Sequence, residues 1–297
     1  MIKNKIAIED TFAEAFPMKA SRLIITAHNS SWAIKAAESF TGFATSVIAC
    51  GCEAGIEKIL SFRETPDGRP GVSILVFSMS SKELAKQILN RAGQCVMTSP
   101  TSSLFSGNDG DVKIELGKSL RYFGDGYQIS KIVNGKRFWR IPVMDGEFLC
   151  EEFAYQQPAI GGGNFLIIGK NIDGVLKAAE NAVNQIKKIK NIILPFPGGI
   201  VRSGSKVGSK YKSLIASTNF DYCPTLRGMV KVKISENAGC VLEIVIDGLE
   251  KKDIEKAMKV GINTILHSGN KDILAISAGN YGGKLGPYLF NLLKIVK

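Results

Sequence analysis

The feature that most constrains the fold is a strand, helix, strand unit that occurs twice in the second half of the chain. The first copy has a strand, an apolar helical stripe and a strand at 164–168, 172–189 and 192–196. The second copy has them at 240–246, 254–265 and 273–278. Each helix has one apolar face, which such units bury against a sheet. Two units with antiparallel pairing of their outer strands give the split β-α-β, or ferredoxin-like, sandwich.

The first half of the chain repeats the pattern less regularly. We predict strands and helices at 23–26, 28–37, 72–77 and 81–92, with short strands at 47–49 and 94–98 and a further helix before residue 23. A chain of 297 residues is long enough for two domains. We therefore expect an α/β (α+β) protein with two ferredoxin-like split β-α-β sandwich lobes, an N-terminal lobe at 1–145 and a C-terminal ferredoxin-like lobe at 146–297.

Composition and charge narrow the class of protein. The formal net charge is +11, from 38 basic and 27 acidic residues, which suits an acidic partner. Basic arms and R-G-G tracts are absent, so a nucleic-acid-binding module is the weaker alternative and no nucleic acid partner is expected. The sequence has no cleavable leader pattern and no apolar run approaching about 18 residues. We therefore expect a cytoplasmic protein without a membrane partner.

Few residues of the kind that bind metals are present at useful spacings. The chain has two histidines, His28 and His267, and its six cysteines are scattered. Zinc and iron sites normally use several His or Cys ligands at short spacings. We expect no metal site, and catalysis by carboxylates, hydroxyls, backbone amides and bound substrates.

A carboxylate interrupts the apolar strand at 239–248. Glu243 has Val241 and Val245 as neighbours on its own face of the strand, because side chains alternate between the two faces. If that face is covered, desolvation favours the neutral acid and raises its pKa, which leaves a group able to donate a proton to a developing oxyanion. The alternative is a solvated glutamate on the wet face of an ordinary sheet.

Glycine-rich turns at 195–210 and 278–286 follow the two repeated units. Glycine lets a ligand approach the backbone closely, and exposed amides together with Lys206, Lys210 or Lys284 could hold carboxylate or phosphate groups. Neither turn matches the phosphate-loop or the dinucleotide-binding pattern. Their equivalent positions favour a shared cleft, although each turn alone could be purely conformational.

Several long strings identify a family. They are IEDTFAEAF (8–16), TGFATSVI (41–48), ETPDGRPGV (64–72), GQCVMTSPT (93–101), YFGDGYQ (122–128), PFPGGIV (195–201), SKVGSK (205–210), STNFDYCPT (217–225) and ISAGNYGGKLG (276–286). The chain resembles formylmethanofuran:tetrahydromethanopterin formyltransferases over nearly its whole length. The resemblance implies two ferredoxin-like lobes and a homo-oligomer, a homotetramer built as a dimer of dimers.

The resemblance also implies a reaction. A formyl group passes between formylmethanofuran and the ring nitrogen of tetrahydromethanopterin by direct transfer in a ternary complex. Tetrahydromethanopterin and methanofuran act as cosubstrates, and no prosthetic group is bound. A second hypothesis, from relatives in methyl-oxidising bacteria, is a substrate-handling subunit of a larger formyltransferase/hydrolase complex.

The resemblance places the chemistry on one residue. Glu243 resembles the family's active-site glutamate and is expected to act as the acid or oxyanion stabiliser. The candidate substrate-binding residues are Asn164, Phe165, Gly198, Gly199, Ser217, Thr218, Asn219, Tyr222, Asn280, Tyr281, Gly282 and Gly283. Polar groups among them could read a pterin edge, and Phe165 or Tyr281 could stack on a ring. The alternative is that Asn and Ser satisfy the loop backbone and the aromatics fill the core.

Overall fold

The computed structural model describes residues 1–297. Its strands are β1 (Ile2–Lys3), β2 (Ile6–Ile8), β3 (Phe12–Thr26), β4 (Glu53–Leu60), β5 (Gly71–Ser78), β6 (Ser103–Ser106), β7 (Val112–Glu115), β8 (Ile129–Val133), β9 (Lys136–Val143), β10 (Gly146–Glu151), β11 (Phe153–Gly169), β12 (Ile192–Ile193), β13 (Ser205–Val207), β14 (Ala216–Thr218), β15 (Cys240–Gly248), β16 (Ile273–Ser277) and β17 (Tyr288–Asn291).

The helices are α1 (Ser30–Thr41), α2 (Val47–Cys50), α3 (Ser81–Arg91), α4 (Gly117–Leu120), α5 (Ile172–Ile186), α6 (Lys251–Leu266) and α7 (Leu292–Ile295). None of them combines the length and apolar character needed to cross a membrane.

The chain forms two compact units. Residues 1–17 and 160–297 make one, here called the terminal unit, and residues 18–159 make the other, the central unit. These units differ from the lobes predicted at 1–145 and 146–297. The first residues of the chain join the terminal unit because β2 pairs with β16 and the start of β3 pairs with β17.

The terminal unit contains both repeated β-α-β units. Its strands lie in the order β12-β15-β11-β16, and all three pairings are antiparallel. This is the strand order that two split β-α-β units produce. Helices α5 and α6 pack on one face, where Phe165, Ile244 and Met258 share a core. β2 extends the sheet in parallel beside β16.

The central unit has the same topology. Its strands lie in the order β4-β5-β3-β6, again with antiparallel pairings. Helices α1 and α3 cover one face, where Leu23 and Ile25 pack with Ala33 and Leu84. β10 lies parallel to β6, and β9 and β8 continue the sheet. The predicted fold of two ferredoxin-like lobes is confirmed.

Three local predictions in the first half are wrong. Residues 47–49 belong to the short helix α2, because the Ser46 side chain accepts a hydrogen bond from the Ile48 N–H and caps it. Residues 94–98 mostly continue α3 as a π turn over Ala92–Val96, and the fourth strand is β6 instead. The helix expected before residue 23 is part of the long strand β3, whose Pro17 lies between its ladders with β17 and β5.

Candidate active site

Glu243 lies in the third strand of the terminal unit's sheet, on the face opposite the helices. Leu242 and Ile244, its neighbours in sequence, belong to the helix-side core. On its own face Glu243 lies between Val241 and Val245 along β15. Leu166 of β11 pairs with it on one side, and an isolated bridge to Val201 closes the other. Four apolar side chains therefore surround the position from which the carboxyl group projects.

These surroundings change the protonation of Glu243. The residue as a whole is half-buried. Loss of hydration raises the pKa of its carboxyl to about 7, and no ion pair or hydrogen bond of the carboxyl counteracts this. A group with this pKa is a substantial fraction neutral near pH 7, so it can donate a proton as well as accept one.

A connection between β12 and β15 covers the helix-free face of this sheet. Ile234 and Ala238 of this connection pack on Ile168, with Tyr222 and Val241 alongside. The chain leaves β12 through a tight turn at Pro197–Gly199, where Gly198 has φ 65° and Gly199 φ 83°. A Cβ on Gly199 would approach the Leu194 side chain to 2.9 Å. The two predicted glycines thus shape the turn that delivers Val201 beside Glu243.

Tyr281, in the 278–286 loop, is a half-buried candidate residue. Burial, with smaller contributions from the charges of Glu243, Glu14 and Tyr222, raises the pKa of Tyr281 to about 12. Its hydroxyl donates to the carbonyl oxygen of Ser205 at 3.0 Å. Tyr281 is therefore a neutral phenol held between the 278–286 loop and the start of β13.

Tyr222 belongs to a hydrogen-bonded chain on the same face. Its hydroxyl lies 3.0 Å from Ser277 Oγ, and Ser277 donates to Glu9 Oε2 at 2.5 Å. Because the Ser277 proton is given to Glu9, Tyr222 must be the donor to Ser277. Burial raises the pKa of Tyr222 as well. Ser277 shares the face of Glu243, since both pair with Leu166.

The remaining polar candidates mainly bind the backbone around these two tyrosines. Asn164 is buried; its Oδ1 accepts from the Gly279 N–H at 2.6 Å and its Nδ2 donates to the Gly162 oxygen. Asn280 donates to Thr11 Oγ1 and accepts from the Gly282 N–H. Asn164 and Asn280 thus hold the two ends of the first turn of the 278–286 loop.

The hairpin of β13 and β14 carries three further candidates. Ser217 donates to the Gly208 oxygen at 2.7 Å, and Thr218 Oγ1 lies 3.5 Å from Cys223 Sγ. The Asn219 N–H donates to the Gly204 oxygen, and Thr218 pairs with Ser205. These residues adjoin the Tyr281 hydroxyl through Ser205, so the structure brings them to the same edge of the site.

Phe165 does not belong to this group. It is fully buried in the core under α5 and α6. Adjacent residues of a strand point to opposite faces, so Phe165 points away from Leu166, Glu243 and Asn164. The expectation that Phe165 stacks on a substrate ring is therefore wrong, and it is left out of the candidate site.

The loop at 278–286 differs from the expected anion cradle. The N–H groups of Tyr281, Gly283 and Leu285 all donate to the carboxylate of Glu14. The N–H of Gly282 donates to Asn280. These amides are thus engaged within the protein, whereas the side chains of Asn280, Lys284 and Leu285 are exposed.

Sequence reasoning missed Glu14, Glu9 and Ser277 as parts of this site. Glu14 carried the same signal as Glu243, a carboxylate between small apolar residues, Ala13 and Ala15, in an alternating segment. Because the sequence predicts a helix directly after this segment, the alternating residues do not identify it as the start of a strand. Nowhere in residues 1–297 do three or more His, Cys, Asp or Glu side chains group as metal ligands would.

Comparison with known proteins identifies the family. A family model for formylmethanofuran-tetrahydromethanopterin formyltransferase matches residues 1–143, and a second, for the proximal lobe of the same family, matches residues 146–295. The chain belongs to this family. As a member it is a formyltransferase.

Similar proteins cover the whole formyltransferase chain. A formylmethanofuran–tetrahydromethanopterin formyltransferase of Methylococcus capsulatus is 60% identical over 297 residues, which is 100% of both chains. The formyltransferase structure from Methanosarcina barkeri matches with a TM-score of 0.93 at 45% identity, over 99% of this chain and 100% of that one.

A third comparison is with an assembly. A chain in the crystal structure of the formyltransferase/hydrolase complex of Methylorubrum extorquens, determined with methylofuran, matches with a TM-score of 0.97 at 47% identity. The match covers 100% of this formyltransferase and 99% of that chain.

Proposed function

We propose that this formyltransferase moves a formyl group between formylmethanofuran and the ring nitrogen of tetrahydromethanopterin, with Glu243 as the proton-handling residue. The observation that carries the proposal is the Glu243 carboxyl, whose pKa of about 7 is set by apolar surroundings. The family membership and the full-length similarity to named formyltransferases support the choice of carriers.

The reaction requires two proton movements and stabilisation of one charge. The pterin nitrogen attacks the formamide carbon, an oxyanion develops, and the leaving amine must take up a proton. Neutral Glu243 donates a hydrogen bond to the oxyanion and then gives its proton to the leaving nitrogen. The resulting carboxylate accepts the proton that the attacking nitrogen releases, which restores neutral Glu243.

The magnitudes fit a direct transfer. One donor aimed at a developing oxyanion in a dry site contributes on the order of 3 kcal/mol. Binding both carriers together converts a bimolecular step into an effectively unimolecular one, which is worth about 7 kcal/mol or more when the geometry is good. No covalent enzyme intermediate is needed, and no prosthetic group enters the proposal.

The groups proposed to contact the carriers are those around Glu243. Tyr222 packs with Val241 on the Glu243 face, the Tyr281 hydroxyl donates to the Ser205 oxygen, and Ser217, Thr218 and Asn219 add polar groups around Ser205. The glycines of the two turns, at 198–199 and 282–283, remain proposed approach points because little side-chain bulk surrounds Gly198, Gly282 and Gly283.

The test mixes purified chain with formylmethanofuran and tetrahydromethanopterin and measures formyl-pterin formation. We expect turnover by the isolated chain and about a 100-fold lower kcat in Glu243→Gln, with substrate affinities little changed. Glu180→Gln is the matched control, since Glu180 is exposed on α5. Near-normal turnover of Glu243→Gln would remove the acid from the mechanism.

A second candidate role is that of a substrate-handling subunit of a larger assembly, as the similar Methylorubrum chain suggests. The homotetramer and the cytoplasmic location remain predictions from the sequence. Light scattering of the isolated chain distinguishes a self-assembled tetramer from a monomer awaiting other subunits. Absence of turnover by the isolated chain, restored by the other subunits of such a complex, would favour the subunit role.

A further inference from the structure

Glu14 is a carboxylate in an unusual place. It lies in β3 between Ala13 and Ala15, and all three residues are fully buried. A buried carboxylate is costly unless hydrogen bonds replace its lost water. The replacement here comes entirely from one loop.

Three backbone N–H groups of the 278–286 loop converge on this carboxylate. Oε1 accepts from Tyr281 at 2.5 Å and from Gly283 at 2.8 Å, and Oε2 accepts from Leu285 at 2.8 Å. Donors at every second residue turn to one side because Gly282 and Gly283 adopt φ values of 77° and 73°. This concave arrangement of amides is suited to an anion.

The anchoring has a direct consequence for Tyr281. The Tyr281 backbone is held by Glu14, and its hydroxyl is held by the Ser205 carbonyl oxygen. Asn164, which pairs with Val245 and so lies on the face of Glu243, holds the same loop at Gly279. The next amide of the loop, that of Gly282, donates to Asn280 and not to Glu14.

We propose that Glu14 is a positioning residue of the active site, whose buried carboxylate holds the 278–286 loop, with Tyr281, on the face of the sheet that carries Glu243. The proposal rests on the role proposed for Glu243. Glu14 touches no reacting atom; it acts through the loop, and its effect is to keep water away from the Glu243 carboxyl.

The three N–H donors need a group with two acceptor oxygens, so a side chain that only has the size of glutamate is not enough. Glutamine has one acceptor oxygen, and its NH₂ group is a donor. In Glu14→Gln either the Leu285 N–H or the pair from Tyr281 and Gly283 would face another donor. The loop should therefore loosen although the side chain keeps its volume.

The first measurement follows the loop without any substrate. Amide hydrogen exchange of Tyr281, Gly283 and Leu285 in Glu14→Gln should be at least 10-fold faster than in the wild type, with Glu180→Gln as control. Unchanged exchange at these three amides would overturn the proposal, whether or not Glu243 has the role assigned to it.

The second measurement follows the chemistry. In Glu14→Gln we expect kcat about 10-fold lower, and a kinetic pKa displaced toward lower pH by about one unit as water reaches Glu243. A merely structural residue would lower the amount of folded enzyme without moving that pKa. In the Glu243→Gln background the Glu14→Gln change should have no further effect on the residual rate.

A milder variant keeps the test valid if Glu14→Gln does not fold. Gly283 lies in the exposed part of the loop and a Cβ there meets no atom within 4 Å, but its φ of 73° strains any other residue. Gly283→Ala should disturb the amide arrangement while leaving Glu14 in place, and should move the kinetic pKa in the same direction. Fast loop exchange with a wild-type pH profile in both variants would overturn the positioning role.

Discussion

Two carboxylates on the helix-free faces of the two sheets show how one topology can carry different chemistry. In the central unit, Glu57 accepts two hydrogen bonds from the Arg22 guanidinium, both at 2.8 Å, and a third from Ser73 Oγ at 2.7 Å. In the terminal unit, Glu243 has apolar neighbours on four sides and its pKa rises to about 7. A bidentate guanidinium favours the ionised form, whereas desolvation favours the neutral one.

The connections between the second and third strands help to explain this difference. In the central unit residues 61–70 join β4 directly to β5. In the terminal unit residues 194–239 join β12 to β15, and part of this long connection packs over the helix-free face. The longer connection supplies Val201, which pairs with Glu243, and Tyr222, which packs with Val241, so it covers part of the face on which Glu243 lies.

The largest expected effect is on the pH dependence of turnover. If neutral Glu243 is the acid, kcat should fall about 10-fold per pH unit above pH 7, to about 100-fold lower at pH 9. Single-turnover rates between pH 5 and 9 measure this. The variant Glu57→Gln should keep the same profile, because its carboxylate serves the central unit only. A turnover rate that does not change above pH 7 would contradict the role of neutral Glu243 as the acid, and with it the difference drawn between Glu243 and Glu57.

The next largest effect is expected on the stability of the folded protein when Glu57, the carboxylate paired with Arg22, is replaced. Glu57→Gln leaves the Arg22 guanidinium with a neutral partner in a mostly buried position, and we expect a loss of about 2 kcal/mol in the free energy of unfolding. Urea unfolding at pH 7, with Glu180→Gln as control, measures it. A change below about 0.5 kcal/mol would mean that solvent screens this pair as it does an exposed one.

Much of the fold followed from sequence because its signals are local. Alternation placed Val241, Glu243 and Val245 on one face, and helical spacing located α5 and α6. The pairings that complete the site, Leu166 and Val201 beside Glu243, join distant segments and leave no local pattern. The prediction of Phe165 as a stacking residue failed even though alternation alone assigns it and Asn164 to opposite faces of β11.

Glu14 shows a second limit of prediction from sequence. The role of the Glu14 carboxylate depends on amides that lie about 270 residues away in the chain. The pairing of β3 with β17 brings these amides close to Glu14. The carboxylate between two alanines is visible in the sequence, but the same segment also fits an amphipathic piece that leads into a helix. Alternating segments rich in alanine fit both patterns, so tertiary pairing decides between them.

Replacing Glu243, whose carboxyl has no ion pair, should change the stability in the opposite direction from replacing Glu57. The pKa of Glu243 is raised, so between about pH 4.5 and 7 the folded state retains a proton that the unfolded state has released. The free energy of unfolding should therefore fall as pH rises through this window and level off above pH 7. Because the residue is half-buried, we expect Glu243→Gln to be more stable than the wild type by about 1.5 kcal/mol at pH 8 and nearly equal to it at pH 4.5. Urea unfolding at both pH values checks this, and equal stability at pH 8 would contradict it.

The smallest effect tests whether Tyr281 contributes mainly its ring or its hydroxyl. Tyr281→Phe removes the hydrogen bond to the Ser205 oxygen but keeps the ring, so we expect water to stay excluded from the Glu243 carboxyl. We expect kcat to fall about threefold, equivalent to less than about 1 kcal/mol, with the kinetic pKa of Glu243 unchanged. Tyr281→Ala, which removes the ring, should lower that pKa toward the ordinary carboxyl value. If Tyr281→Phe lowered the kinetic pKa as far as Tyr281→Ala does, the expectation would be wrong. The Tyr281 hydroxyl, and not the ring, would then be the group that keeps the pKa of Glu243 raised.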